Sequence, residues 1–249
     1  MKRITLIVMT LIPAISMTSF TAKAETANVA VAANFIETAR TIEPQFEQLT
    51  GQQVRFSSAS TGAHDAQIRH GAPFDAWLAA DEAHPAALEQ EGLAVAGTRF
   101  TYAVGKLALW STTRASLDEK SLGNLASADK LAIANPQLAP YGAAAQAVLQ
   151  KLGLWTALQA HLVTGQNIGQ TLEFVASGSA AMGFVAYSEI RGKAGVSWLP
   201  PQDLYPLLVQ QAVLLKHGAG NAAAIAWLNF LHNKARPAIR EAGYGTPEE

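Results

Sequence analysis

The 249-residue chain carries 18 Lys and Arg against 19 Asp and Glu, is 49% hydrophobic and contains no cysteine. A charge balance this close to neutral offers no electrostatic footprint for nucleic acid. The lack of cysteine excludes disulfide staples, thiolate metal sites and a cysteine nucleophile, so stability has to come from a buried core.

At the N-terminus Lys2 and Arg3 precede an apolar run from Ile4 to Ile15, followed by polar residues and Ala22-Lys23-Ala24. This is the layout of a secretory signal: a basic n-region, an apolar h-region and a small-x-small cleavage site. The run is too short to span a hydrocarbon core of roughly 30 Å, and no later segment reaches about 18 uninterrupted apolar residues. Residues 1–24 therefore read as a cleavable signal peptide, which predicts a soluble, exported, periplasmic protein. Its removal leaves 225 residues with 15 basic and 19 acidic side chains, a net charge of −4. That length suffices for one large or two modest domains.

Beyond the signal, short strand-like runs alternate with helical patterns. Val29 to Ala33 reads as a strand; Ala39, Ile42, Phe46 and Leu49 follow at helical spacing, with Gly51 as the stop. Pro44 inside that pattern predicts a kink or a split. Gln53 to Ser57 is a second strand, followed by a helix from Thr61 to Gly71. Phe74 to Ala79 is a third, with Asp81 placed to cap the next helix. The βαβαβα order predicts a parallel sheet with helices on both faces. A second unit follows an extended run from Thr101 to Trp110. It contains a strand at Leu131 to Ala134, a helix after Tyr141 ending at Gly153, a helix through Ile168, Leu172 and Val175, and a strand at Met182 to Val185. Tyr205 to Leu215 is extended and Ala223 to Leu231 helical. With no linker between the halves, strands crossing twice should join them, giving a first lobe of residues 25–100 and 210–249 and a second of 101–209.

Polar residues gather at the strand exits: Asn34 after the first strand, Ser60 and Thr61 after the second, Ala80 and Asp81 after the third, and Tyr141 after the Leu131 strand. In parallel α/β sheets ligands bind at the carboxyl ends of strands. The helices that follow offer unpaired N–H groups and positive dipole ends to an anion. Each residue taken singly also suits an ordinary helix cap, and Asn34-x-x-Glu37 has the form of a capping box. Only their shared end of the sheet argues for a ligand, and only as far as an anion or small polar molecule.

Four segments carry a closer likeness: VAVAANF, FSSASTGAHDAQIRHGAPFDAWLAADE, IANPQLAPYGAAAQAVLQKLG and GSAAMGFVAYSEI. In this order and spacing they resemble the periplasmic molybdate-binding proteins of bacterial ABC importers, over essentially the whole chain after the signal; the most specific block runs from Ser60 to Asp81. The resemblance implies a two-lobed α/β fold of the type II periplasmic-binding superfamily. In it each lobe is a mainly parallel sheet flanked by helices, and the oxyanion is held in the cleft between lobes. By position, Asn34 stands where the family uses Ser or Asn, and Thr61 where Ser is usual. Ala80 and Ile168 occupy places that supply backbone N–H donors. Tyr141 matches the tyrosine of one branch, while another branch draws its tyrosine from the position of Ala186. Ala33, Ser60 and Tyr187 complete the candidate set, Tyr187 being expected to point elsewhere if its segment is extended.

The implied ligand is molybdate or tungstate, with no cofactor and no metal coordinated by protein side chains. The implied partners are an inner-membrane ABC permease and its ATPase, and the protein is expected to be a monomer and not an enzyme. A site lined only with donors suits a dianion that has no proton of its own. A receptor for sulfate or another small oxyanion is the nearest alternative. A secreted hydrolase would need a G-x-S-x-G elbow or an H-E-x-x-H zinc helix, and neither is present. Asp75 and Asp81 read as capping or lobe-to-lobe hydrogen-bonding groups, since a carboxylate facing a dianion would repel it. His64 and His70, six residues apart, do not share a helix face as metal ligands would.

Overall fold

The computed structural model describes residues 25–245; the expected signal peptide, residues 1–24, lies outside the described residues. Two five-stranded sheets form the frame. The first runs in the order β2 (Gln53–Ala59), β1 (Thr26–Ala32), β3 (Ala76–Leu78), β10 (Leu208–Leu214) and β4 (Phe100–Gly105). The second runs β7 (Leu162–Gly165), β6 (Leu131–Ala134), β8 (Met182–Ala186), β5 (Leu107–Ser111) and β9 (Val196–Trp198). β1 pairs in parallel with β2 and β3, as β6 does with β7 and β8, while β10 and β5 run antiparallel to their neighbours. The inner parallel strands β1, β3, β6 and β8 are mostly apolar because helices cover both of their faces, while β2 at the sheet edge carries Gln53, Arg55, Ser57 and Ser58.

Those helices are α1 (Ile36–Thr50), α2 (Thr61–Arg69), α3 (Ala83–Gln90), α4 (Lys120–Gly123), α5 (Pro140–Lys151), α6 (Ile168–Ala176), α7 (Tyr187–Ile190), α8 (Ala222–Asn233) and α9 (Arg236–Glu241). On one face of the first sheet α1, α8 and α9 bury Phe46 against Trp227, edge-on at 5.1 Å between ring centroids. On the other, α2 and α3 bring Ile68 and Leu88 against Trp77. In the second lobe Val148 and Leu149 of α5 pack on Ile133 and Phe184, and Val175 of α6 on Ala132 and Val185.

Two expectations need correcting. α1 runs unbroken through Pro44 for 15 residues. The proline removes only the bond to the Arg40 carbonyl, and both residues are exposed, so water can serve that oxygen. The extended run from Thr101 to Trp110 is two strands in two sheets. β4 pairs with β10 from Gly105 opposite Leu208 to Phe100 opposite Ala212, whereas β5 pairs with β8 and β9. The chain thus first crosses between sheets at Lys106 rather than after residue 100, and Leu208 and Val209 also lie in the first sheet. The break at Gly105-Lys106 was hidden by the apolar residues on either side of it.

Candidate functional site

The carboxyl ends of β1, β2 and β3 face those of β6 and β7 across the cleft. Four helix starts converge there: the 3-10 turn Ala33–Phe35 that leads into α1, and the first residues of α2, α5 and α6. Helix starts leave backbone N–H groups without intrahelical acceptors and concentrate positive partial charge. Between them is a closely fitted cavity in which the centre of a water-sized sphere has about 10 Å³, room for one compact group. From the first lobe Ala33, Asn34, Ser60, Thr61 and Ala80 line it; from the second come Ala139, Tyr141 and Ile168. No acidic or basic side chain lines this cavity.

Seven of the eight sequence-nominated residues therefore meet in one place. Tyr187 does not: it opens α7, its N–H donates to the Lys106 carbonyl, and its ring packs beside Gly243. Ser60 is the N-cap of α2, accepting from the Ala63 N–H. The Ala80 N–H, expected to serve the ligand, instead donates to Thr61 Oγ1 at 2.9 Å, so Ala80 orients Thr61. Asn167 caps α6 through the Gln170 N–H and leaves Ile168 at the first helical position.

Asn34 is not the capping residue its spacing to Glu37 suggests. Its side-chain amide donates to Gln210 Oε1 at 2.9 Å and to the Tyr244 hydroxyl at 3.2 Å, so both N–H bonds are committed inside the protein. What Asn34 has left for a ligand is its backbone N–H at the start of a helical turn. Tyr141 is 1% exposed, and burial holds its hydroxyl well above the usual range, so it remains a neutral donor. Gln210 Nε2 donates to that hydroxyl at 3.2 Å. Tyr102 completes the cluster, its hydroxyl 2.9 Å from Gln210 Oε1 and 3.1 Å from the Ala79 carbonyl.

Gln210, Tyr102 and Tyr244 were missed by sequence reasoning. The available signal was Gln210-Gln211, two amides interrupting the apolar stretch Leu207 to Leu215. A register shift in β10 falls between these two glutamines, the kind of bulge that re-aims side chains. Of the other nominated groups, Asp75 accepts from the Asn28 N–H and contacts His217 within the first lobe rather than across the lobes. Asp81 accepts from the His84 N–H and ring, as a cap does. His64 is buried edge-on to Phe74, while Asp65 pairs with Arg69.

A two-lobed α/β frame with a donor-lined, uncharged cavity between the lobes defines a solute-binding protein. The chain matches the family described as bacterial extracellular solute-binding protein over residues 27–245, and it belongs to that family. It is 49% identical over 219 residues to the molybdate-binding protein ModA of Rhodobacter capsulatus, covering 87% of each chain. It is 48% identical over 230 residues to the ModA of Azotobacter vinelandii, covering 90% of this chain and 91% of that one. The solved structure of the Azotobacter vinelandii periplasmic molybdate-binding protein matches with a TM-score of 0.84 at 40% identity, over 89% of this chain and 99% of that one. The fold expected from the sequence is the fold found.

Proposed function

We propose that this chain is the periplasmic receptor of a molybdate importer. It captures molybdate, and tungstate of nearly the same size, in the inter-lobe cavity and hands it to an ABC permease powered by its ATPase. It works as a monomer, by binding and release without turnover. The single observation that carries this reading is the cavity lining: hydroxyls and helix-start amides from both lobes, with no carboxylate to repel a dianion and no lysine or arginine to neutralise it. Relatives at 48 and 49% identity that bear the name molybdate-binding protein support the choice of oxyanion.

Hydrogen bonds to a charged group contribute about 1.5 to 3 kcal/mol each, so a handful of them offsets desolvation and leaves micromolar or tighter affinity. Because each lobe holds only part of the donor set, the anion favours the closed arrangement and shifts the population toward it. Hydrogen phosphate, which must donate a proton, finds no carboxylate to receive it. Sulfate differs mainly in its shorter bonds, so donors spaced for molybdate would have to stand too far from its oxygens to bind it as well.

Calorimetric titration of anion-stripped protein with molybdate, tungstate, sulfate and phosphate tests the reading. One-to-one binding of the first two, with much weaker heats from the others, is expected. Equal binding of sulfate would make the protein a general oxyanion receptor, and no heat from any of them would end the oxyanion reading.

A further inference from the structure

Tyr141 lines the cavity, and the direction of its hydroxyl proton is decided from the opposite lobe. The chain of donors can be followed one proton at a time. The Tyr244 hydroxyl has one proton and gives it to the Asn34 carbonyl at 2.6 Å. Toward the Asn34 side chain, 3.2 Å away, it can then only accept, so the group facing it is Nδ2. That same Nδ2 donates to Gln210, which must present Oε1; the Tyr102 hydroxyl shares its one proton between this oxygen and the Ala79 carbonyl. The Gln210 amide is thereby fixed, with Nε2 toward Tyr141 at 3.2 Å. The Tyr141 oxygen accepts, and its own proton is left for the cavity.

The contact depends on a close approach. A Cβ at residue 105 would stand 2.2 Å from the Tyr141 hydroxyl oxygen and 2.7 Å from Gln210 Nε2, so only glycine leaves room for the pair. Gln210 itself is 0% exposed and sits in β10 of the first sheet, while Tyr141 opens α5 of the second lobe.

We propose that Gln210 is a positioning and specificity-determining residue: by donating across the cleft it makes the Tyr141 hydroxyl an obligate donor to the bound oxyanion and so disfavours oxyanions that carry a proton. This rests on the oxyanion reading above. A tyrosine free to rotate could accept from hydrogen phosphate; one held by Gln210 cannot accept that proton without losing an internal bond. Every other partner of Gln210 is a donor to its Oε1, so Gln210→Glu keeps those bonds. The Tyr141 proton reverses, turning to the carboxylate and away from the ligand, and the site also gains a buried negative charge behind Tyr141.

The test is a double-mutant cycle in molybdate affinity with Gln210→Met, Tyr141→Phe and the pair, alongside the molybdate to phosphate ratio of each. If Gln210 acts through Tyr141, Gln210→Met costs about tenfold with Tyr141 present and much less in the Tyr141→Phe background, and its molybdate to phosphate ratio narrows. Losses that simply multiply, or an unchanged ratio, would overturn the proposal. Should Gln210→Met not fold, as judged by thermal unfolding without anion, Gln210→Glu decides in the same cycle: a loss of molybdate binding that shrinks in the Tyr141→Phe background is expected, and equal losses in both backgrounds, which repulsion by the new carboxylate alone would give, would sink the idea. A wild-type protein that binds neither anion would instead remove the oxyanion reading beneath it.

Discussion

The backbone N–H of Ala80 donates to the hydroxyl oxygen of Thr61 at 2.9 Å, tying the end of β3 to the start of α2. Both residues line the cavity, and the bond leaves the Thr61 proton free to point into it. Thr61→Val keeps the shape, removes that proton and strands the Ala80 N–H. One charge-assisted bond is worth about 1.5 to 3 kcal/mol, so molybdate affinity should fall at least about tenfold. Thr61→Ser, which keeps the oxygen, should bind within about threefold of the wild type on the same principle. Calorimetry on both variants checks this, and a Val variant of undiminished affinity would remove Thr61 from the site.

Asn34 and Tyr141 should differ in what their loss does. Tyr141→Phe removes one ligand donor and the acceptor of the buried Gln210 Nε2, so it should weaken binding several-fold and lower the melting temperature modestly. Asn34→Ala removes the amide that anchors both Gln210 and Tyr244, so affinity should fall further and the melting temperature of the anion-free protein should drop as well. Equal, purely affinity-based losses would mean that the Asn34 side chain does not organise the cluster.

Closure has its own signature at Gly62. Its N–H donates to the Leu138 carbonyl at 2.9 Å, joining the start of α2 in one lobe to the loop before α5 in the other. A Cβ at Gly62 would lie 3.2 Å from both the Leu138 Cα and its carbonyl oxygen. Gly62→Ala should therefore hold the lobes slightly apart, lowering anion affinity while the melting temperature without anion stays near wild type. X-ray scattering with and without molybdate would show a smaller compaction in this variant.

What could be read from the sequence follows the range of each interaction. Strands β1, β2, β6 and β8 and their helices were legible because apolar period, glycine stops and caps are local signals; Ser60 as the cap of α2 is one example. Most of the residues nominated at the strand exits line one cavity, since topology brings those ends together, while Asp81 and Tyr187 lie outside it. Their individual roles were not legible. Whether Asn34 caps a helix or binds Gln210 depends on a partner 176 positions away, and the Ala80 to Thr61 bond depends on how two strand exits meet. The sheet change at Lys106 was hidden because the residues on both sides of it are apolar in either sheet.

The pH dependence of stability should separate the part-buried Glu189 and the buried His64 by the sign of their effect. Burial pushes the Glu189 carboxyl up to about 8, opposed by the Ala186 backbone N–H and Lys193 and aided by nearby Glu37, and its Oε2 is buried without a hydrogen-bond partner. The folded protein therefore holds a proton there that the unfolded chain, with an ordinary value of 4.5, releases. Its contribution is full below about pH 4.5 and is lost as the pH rises to about 8. His64 behaves oppositely: both ring nitrogens are buried without partners, and burial lowers it from 6.5 to about 4. Its contribution is full above about 6.5 and is lost as the pH falls toward 4. Melting temperatures measured from pH 4 to 9 should thus show Glu189→Gln gaining on the wild type only as the pH rises through 5 to 8. His64→Leu should gain only as the pH falls below about 6.5, by up to roughly 3 kcal/mol at the acid end. Variant curves parallel to the wild type would show that neither group changes its proton occupancy on folding.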